Sequence, residues 1–316
     1  MVIPATDDPS TLPACRAALA ASLDPADEII VVDRPASLSA SDARNAGALC
    51  AAGDVLVFVD ADVEVHADAL GRIRAAFAHD PQITALHGSY DDVPSARGTV
   101  SVFRNLLHHH VHQTGAGPAE TFWSGLGAVR RTDFLEVGGF DGTRYPHPSI
   151  EDIELGHRLT VAGGRLRLDP TIQGTHLKRW TLRSMLWTDV ARRGAPWVAL
   201  QLRTRRIAST LNCSWRHRVS ALVCALAPLA VLTGAIRPAL ALGGALVALN
   251  HAFYALLIRQ LGVARGLAGV ALHGLHHLAS VVAVPAGVAM ACAAGLRQPR
   301  PAGNGLEPTL AAGVEP

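Results

Sequence analysis

Short apolar runs alternate with segments of helical spacing over the first half of the chain. Val2-Ile3-Pro4 reads as the end of a first strand, and Glu28–Asp33 (EIIVVD) as a second, buried strand that closes on an acid. Val55–Val59 is apolar at five consecutive positions, the pattern of a strand covered on both faces in a parallel sheet. Ile83–Ser89 reads as a fourth strand. Between them, Leu12–Ser22, Ser41–Ala52 and Ala67–His79 carry apolar residues at helical spacing, with Ser10 a candidate N-cap and Gly53 a stop. This βαβαβαβ order predicts an α/β domain with a doubly wound, mainly parallel sheet. Further on, Ser101–Gln113 has a helical pattern, Gly115–Pro118 a loop pattern, and Thr121–Val129 a strand pattern interrupted at Ser124-Gly125-Leu126-Gly127. Gly138–Asp141 reads as a turn, and Glu151–Ala162 as a helix stopped by Gly163-Gly164.

The last third has a different texture. Between Val219 and Leu296 the charged residues, histidine aside, are Arg237, Arg259 and Arg265. Val219–Ile236, Ala239–Ile258 and Gly266–Ala294 each reach the roughly 18–20 residues a helix needs to cross a bilayer. The mean hydropathy of +0.24 and the low charged fraction of 17% come from this region. Ahead of it, Leu182–Arg206 alternates Met185, Trp187, Trp197 and Leu202 with six arginines, and Gly194 and Pro196 are expected to break it in two. Basic helices with tryptophans lie in the bilayer interface, where anionic headgroups attract arginine. Arg203, Arg205, Arg206, Arg216 and Arg218 before the first run put the N-terminal domain on the cytoplasmic side. Arg259 and Arg265 agree, Arg237 would face out, and Arg297 and Arg300 oppose an external tail. The chain opens almost directly on a strand, so no N-terminal signal peptide is expected.

A net charge of +2 carries little, and no feature points to nucleic acid. The five cysteines are scattered without a CxxC pair, which suggests neither a zinc site nor a disulfide framework. His108, His109, His110 and His112 point around their helix and cannot all hold one metal; a polar face lining a groove is the better reading. His273, His276 and His277 lie inside the third apolar run. Ionisable groups there are costly and suggest function, with neutral histidines near an interface as the alternative.

The chemistry concentrates at strand ends. Asp60 and Asp62 leave the carboxyl end of the Val55–Val59 strand, where open α/β sheets bind ligands. Two carboxylates there can hold a hard divalent cation that completes its shell with phosphate oxygens. Glu151 and Asp152 open a helix, which by itself is favourable dipole chemistry.

Together these pieces resemble the family 2 glycosyltransferases of GT-A fold, with a membrane-embedded C-terminus. The resemblance rests on Val2-Ile3-Pro4, Ile30–Asp33, Ala43-Arg44-Asn45-Ala46-Gly47, Val59–Asp62, Ser124–Ala128, Gly138-Gly139-Phe140, Ile150-Glu151-Asp152 and His176–Trp180, in family order. It implies a Rossmann-like GT-A domain over 1–180, a basic interfacial segment over 181–217, about three membrane spans over 218–296, and a Pro/Gly/Ala-rich disordered tail over 297–316. It further implies a metal-dependent, inverting sugar transfer from a nucleotide-sugar donor to a lipid-linked acceptor at the inner membrane. A membrane-tethered enzyme for a small metabolite and a non-catalytic scaffold are the alternatives.

Under the same resemblance, Asp152 is the general base and Glu151 orients the acceptor or the base. Pro4, Asp33, Arg44, Asn45, Asp60, Ala61, Gly125 and Arg179 would contact the donor, with Asp33 taking the nucleobase. Trp123, Gly125 and Trp180 would meet the acceptor. Asp62 and His176 would ligate Mn²⁺ or Mg²⁺, and an imidazole ligand favours Mn²⁺. Arg34-Pro35-Ala36-Ser37 follows Asp33 where the family often has Asp-Gly-Ser, which leaves the base open. His176–Trp180 resembles the QxxRW motif of processive synthases with His in place of Gln, and that departure argues against a processive enzyme.

Overall fold

The computed structural model describes residues 1–208 and 210–295, so the expected tail and its Arg297 and Arg300 lie outside the described residues. The chain forms two compact units. One comprises residues 1–95 and 112–178, and the other residues 96–111 with those from 179 onward.

In the first unit the strands are β1 (Val2–Pro4), β2 (Ile30–Val32), β3 (Val55–Val59), β4 (Val63–Val65), β5 (Ile83–Tyr90), β6 (Gly117–Ala119), β7 (Leu126–Arg130) and β8 (Arg165–His176). They form one sheet in the order β2-β1-β3-β7-β5-β8-β4, with β6 also on β8. β1, β2, β3, β5 and β8 share one direction, and β4, β6 and β7 oppose it. The carboxyl ends of β1, β2, β3, β5 and β8, and the amino end of β7, therefore lie along one edge.

The packed helices are α1 (Leu12–Ala20), α2 (Ala40–Cys50), α3 (Ala69–His79), α5 (Arg131–Glu136) and α6 (Glu151–Val161), while α4 (Thr99–Thr114) runs out of this unit into the other. The Ser39 hydroxyl caps α2 by accepting from the Asp42 amide at 3.1 Å, satisfying a first-turn donor. Helix α2 buries Ala43, Ala46, Gly47 and Ala48. A Cβ at Gly47 would stand 2.4 Å from a Val2 methyl, so this contact with β1 requires glycine. One apolar layer holds Val57, Val59, Ile73 and Leu86, and the other holds Phe58, Phe134, Phe140 and Leu155. The alternation of β3 thus feeds both faces, which is why its run is apolar throughout.

Several elements differ from expectation. β4 follows Asp62 directly and was not foreseen. Gly117–Ala119 is a short strand on β8 rather than part of a loop. The expected strand over Thr121–Val129 begins only at Leu126, because a turn precedes it in which Trp123 packs across Gly125. β8 was missed although its burial alternates along most of its length. Pro170 falls where β8 lacks register with β5, between Leu168 and Gln173, a place where a strand tolerates proline.

The second unit is helical: α7 (Leu182–Trp187), a π-helical segment Thr188–Gly194, α8 (Ala195–Thr204), α9 (Trp215–Leu232) and α10 (Ile236–Gly295). The break expected at Gly194 and Pro196 is a change of helical pitch instead, with Pro196 in the first turn of α8 directly after the π-helical segment. α9 and α10 are long and apolar enough to cross a membrane. The second and third expected runs both fall in α10, which is interrupted by non-helical backbone at Asn250 and Gly262. Gly262 has a φ of +75°, a left-handed conformation that glycine adopts without cost. There the chain turns back: Tyr254 and His273, far apart along a straight helix, are in hydrogen-bond contact. Val102, Phe103, Leu106 and Leu107 of α4 pack with Met185, Phe253, Tyr254 and Leu257, which is why residues 96–111 belong to this unit rather than to a continuous N-terminal domain.

Candidate active site

The common edge of the sheet gathers the acidic residues. β3 ends at Val59, and Asp60 follows it with its amide donating to the Gly125 carbonyl at 3.1 Å. The Asp60 carbonyl then accepts from the Val63 amide at 2.9 Å, closing the tight turn that carries Ala61 and Asp62 into β4. Asp60 and Asp62 are partly exposed and Ala61 is buried.

Arg44 lies beneath this turn. Its side chain is 5% exposed and donates to Asp60 Oδ1 at 2.6 Å and to Glu151 Oε1 at 3.2 Å. Its guanidinium also lies over the Phe140 ring at 5.4 Å. Burial works against the charge, but the two carboxylates outweigh it and hold the Arg44 pKa above its ordinary value. Arg44 thus clasps two carboxylates from different elements, a geometry the planar fork allows and a lysine does not. Asn45 is equally committed: its amide group donates to the Phe140 carbonyl at 2.9 Å and its oxygen accepts from the Phe140 amide at 2.8 Å. That bracket ties α2 to the turn before α6.

Glu151 Oε2 accepts from the Ser149 amide at 2.7 Å, so both of its oxygens are engaged. Asp152 is only partly buried. Its Oδ1 accepts from the Ile153 amide at 2.8 Å and its Oδ2 from the Ser124 amide at 3.3 Å. The first contact fixes it to the N-terminal turn of α6, and the second to the turn before β7. Gly125 is held against Trp123, whose indole would lie 2.5 Å from a Cβ there. Trp123 packs edge-on against Tyr90, and Tyr90 stacks on His176 with ring centroids 4.1 Å apart.

His176 closes β8 and is buried. Its Nε2 stands 3.7 Å from Asp62 Oδ2, and Lys178 Nζ is 4.0 Å from the same oxygen. Burial raises the Asp62 carboxyl pKa, and His176 and Lys178 more than offset this, holding it below the usual range. Two cis ligands of an octahedral ion lie about 3.0 Å apart, so this carboxylate–imidazole pair could share a divalent ion once the two side chains close by about 0.7 Å. Behind the turn, Cys15 Sγ donates to the Asp60 carbonyl at 3.6 Å. Burial, with Asp60 and Asp62 nearby, pushes its thiol up to about 12, so it stays protonated.

The structure brings together Asp60, Ala61, Asp62, Arg44, Glu151, Asp152, Trp123, Gly125 and His176. Pro4 is half-buried at the end of β1, and Asp33 is exposed just past β2. Arg179 is exposed and, with Trp180, belongs to the second unit. There the Trp180 amide donates to Ser101 Oγ at 2.8 Å, and Arg104 lies over its ring at 5.4 Å. Sequence reasoning assigned no role to Cys15, Tyr90, Lys178 or the Ser124 amide. Lys178 alone carried a signal, as a cation two residues after a candidate ligand.

Residues 34–136 match the family model described as Glycosyl transferase family 2. Two curated relatives, both "Pre-mycofactocin glycosyltransferase" from Mycobacterium tuberculosis (strains CDC 1551 / Oshkosh and ATCC 25618 / H37Rv), are 28% identical over 165 residues. These cover 50% of this chain and 34% of each relative, so the chain spans about a third of the length of the curated relatives it matches. Among solved structures, the mannosyltransferase PcManGT from Pyrobaculum calidifontis, in complex with GDP-Man and Mn²⁺, aligns with a TM-score of 0.49 and 15% identity. That alignment covers 92% of this chain and 86% of the other. TarS from S. aureus aligns at 0.42 and 14%, over 92% and 54%.

Proposed function

We propose that the chain, whose residues 34–136 match the Glycosyl transferase family 2 model, is a glycosyltransferase of GT-A fold that transfers a sugar, with inversion, from a nucleotide-diphosphate donor to a hydroxyl of an acceptor at a membrane surface. One observation carries the reading. Asp62 with His176, and Asp152 with Glu151, stand on the same sheet edge, linked through the Arg44–Asp60 and Asp60–Gly125 contacts.

In this reading Asp62 and His176 hold a divalent cation that, when bound, offsets the charge of the donor diphosphate. Lys178 adds a second positive charge beside the same oxygen. Asp60, fixed by Arg44, faces the donor ribose, and exposed Asp33 accepts from the base. Asp152, steadied by two backbone amides, takes the proton of the acceptor hydroxyl as that oxygen bonds to the anomeric carbon. The bond from that carbon to the diphosphate breaks on the opposite side, and the nucleoside diphosphate leaves with the electron pair. A positioned carboxylate supplies roughly 10²–10⁴-fold by such proton transfer. Glu151 and Arg44 are positioning residues. Arg179 and Trp180 are proposed contacts of donor phosphate and acceptor.

A lipid-linked acceptor is favoured by the stretch from α7 to the start of α9. Trp187, Leu202, Ile207 and Trp215 are exposed there at 62, 51, 72 and 65% among arginines, a composition that suits a bilayer interface. With α9 and α10 as spans, the transferase unit sits on the cytoplasmic side of the inner membrane. The small-metabolite acceptor remains the second reading, favoured by the name of the curated relatives.

A screen of nucleotide sugars for thermal stabilisation, with and without Mn²⁺ or Mg²⁺, tests the donor site. The reading expects at least one donor to stabilise the full chain only with the cation; absence of any such donor overturns it. With that donor labelled, product in the organic phase of a membrane extract supports the lipid acceptor, and product only in the aqueous phase supports the metabolite.

A further inference from the structure

The second unit contains a histidine cluster that sugar transfer does not use. His217 lies in the first turn of α9, and His273 and His277 lie one helical turn apart on α10 after its reversal at Gly262. One ring nitrogen from each of the three lies within 4.8 Å of the others. The ring centroids of His273 and His277 are 4.3 Å apart, and those of His217 and His277 are 5.9 Å apart.

We propose that His217, His273 and His277 form a transition-metal site of the Zn²⁺ class, a three-imidazole set with one further position open. Residues at i and i+4 on one helix face present two imidazoles to one ion, and a third from a neighbouring helix completes a facial set. His273 and His277 are each 1% exposed, and the Nε2 atom of each is buried with no hydrogen-bond partner. Buried polar nitrogens without a partner are costly, and two of them on rings whose centroids are 4.3 Å apart call for a ligand. The Tyr254 hydroxyl lies 3.1 Å from His273 Nδ1. In the tautomer whose Nδ1–H donates to that oxygen, Nε2 carries the lone pair, the orientation that supporting contacts give metal-bound histidines. His276, whose Nδ1 contacts Asp189 at 2.8 Å, is not one of the three histidines whose ring nitrogens converge. Nitrogens about 2.0–2.1 Å from a tetrahedral ion lie about 3.4 Å apart, so the three rings would draw closer than the 4.8 Å within which their nitrogens now lie. Three neutral imidazoles and no carboxylate or thiolate suit Zn²⁺ or Cu, and disfavour Mg²⁺ and Ca²⁺. The ion would tie α9 to the returning half of α10.

The test uses the full chain purified in detergent, stripped of metal and titrated with Co²⁺ as a spectroscopic probe for Zn²⁺. The expected result is visible absorption bands of a low-coordinate Co²⁺ site, saturating near about one equivalent and displaced by Zn²⁺. The bands should persist in Asp62→Asn, which separates this site from the proposed donor cation, and weaken at least tenfold in apparent affinity in His273→Gln and His217→Gln. Zinc-edge X-ray absorption on the wild type needs no variant and should show imidazole nitrogens at about 2.0–2.1 Å. Absence of the Co²⁺ bands, their loss in Asp62→Asn alone, or a zinc shell of oxygens only would overturn the proposal.

Discussion

Each unit pairs an arginine with an acid, and the two pairs differ in which partner lies deeper. In the sheet unit Arg44 is the deep partner, at 5% exposure, while Asp60 above it is 31% exposed. In the helical unit the acid is the deep partner: Asp189 is 3% exposed and Arg104 11%, at 2.6 Å, with His276 on the other carboxylate oxygen at 2.8 Å. The first pair presents a fixed acid outward, and the second seals one inside. A buried ion pair is weak evidence for stability, because desolvation offsets much of the attraction. What separates the two is therefore where the carboxylate points. In the proposed reading Arg44 prepares a site, whereas Arg104 and Asp189 join α4 to the π-helical segment.

The largest effect on the fold should come from removing Arg44. Arg44→Met leaves the buried Glu151 without its cation, at a cost of about 3–5 kcal/mol in chemical denaturation, and Arg104→Met, which leaves Asp189 its contact with His276, should cost less. The comparison predicts a split in Arg44→Lys, which restores one contact and not two. Its stability should recover more than its transferase activity, whereas equal recovery of both would mean that Arg44 does no positioning. Arg104→Lys should leave transfer by the folded protein near wild type.

pH separates the units next. Burial pushes the His87 pKa down to about 4 in the sheet unit, so the folded state resists a proton that the unfolded chain accepts near 6.5. Stability from that unit should fall as pH drops from about 6.5 toward about 4, and His87→Gln should flatten this slope. Asp189 is the opposite case. Burial raises its carboxyl, but Arg104 and His276 outweigh burial and bring it down to about 2. Its contribution is complete above the unfolded value of 3.8 and is lost as pH falls from there toward about 2. Thermal melts across pH, followed in wild type and His87→Gln, check both windows; an unchanged slope in the variant would refute the first.

A smaller effect is expected at Gly125. Alanine there displaces the Trp123 indole, so Gly125→Ala should raise the acceptor KM severalfold while leaving the melting temperature within a few degrees. A pure stability loss with an unchanged KM would remove Trp123 from the acceptor side.

The sheet edge was readable because its parts are local. An apolar strand followed by Asp60 and Asp62, and a helix opening on Glu151 and Asp152, each declare themselves within a few residues. What joins them was not readable, since Arg44 meets Glu151 across more than a hundred residues and Tyr90 meets His176 by stacking. The alternation of β8 is present in the sequence, but Pro170 interrupts it at a register shift that only the sheet reveals. In the helical unit, hydropathy marked the apolar runs but not their connection. Neither the reversal at Gly262 nor the approach of His217 to His273 and His277 has a sequence period, because both are set by how α9 and α10 pack. Residues 96–111 show the same limit, since a helical pattern does not say which core it joins.

The central claim is that the carboxyl edge of this sheet performs sugar transfer with Asp152 as the base. Titration calorimetry of wild type and Asp152→Asn with the donor found by screening, run beside turnover with the acceptor, tests it most directly. The account predicts donor affinity within about threefold of wild type and a turnover lower by roughly 10²–10⁴-fold. Undiminished turnover in Asp152→Asn, or loss of donor binding in step with activity, would contradict it.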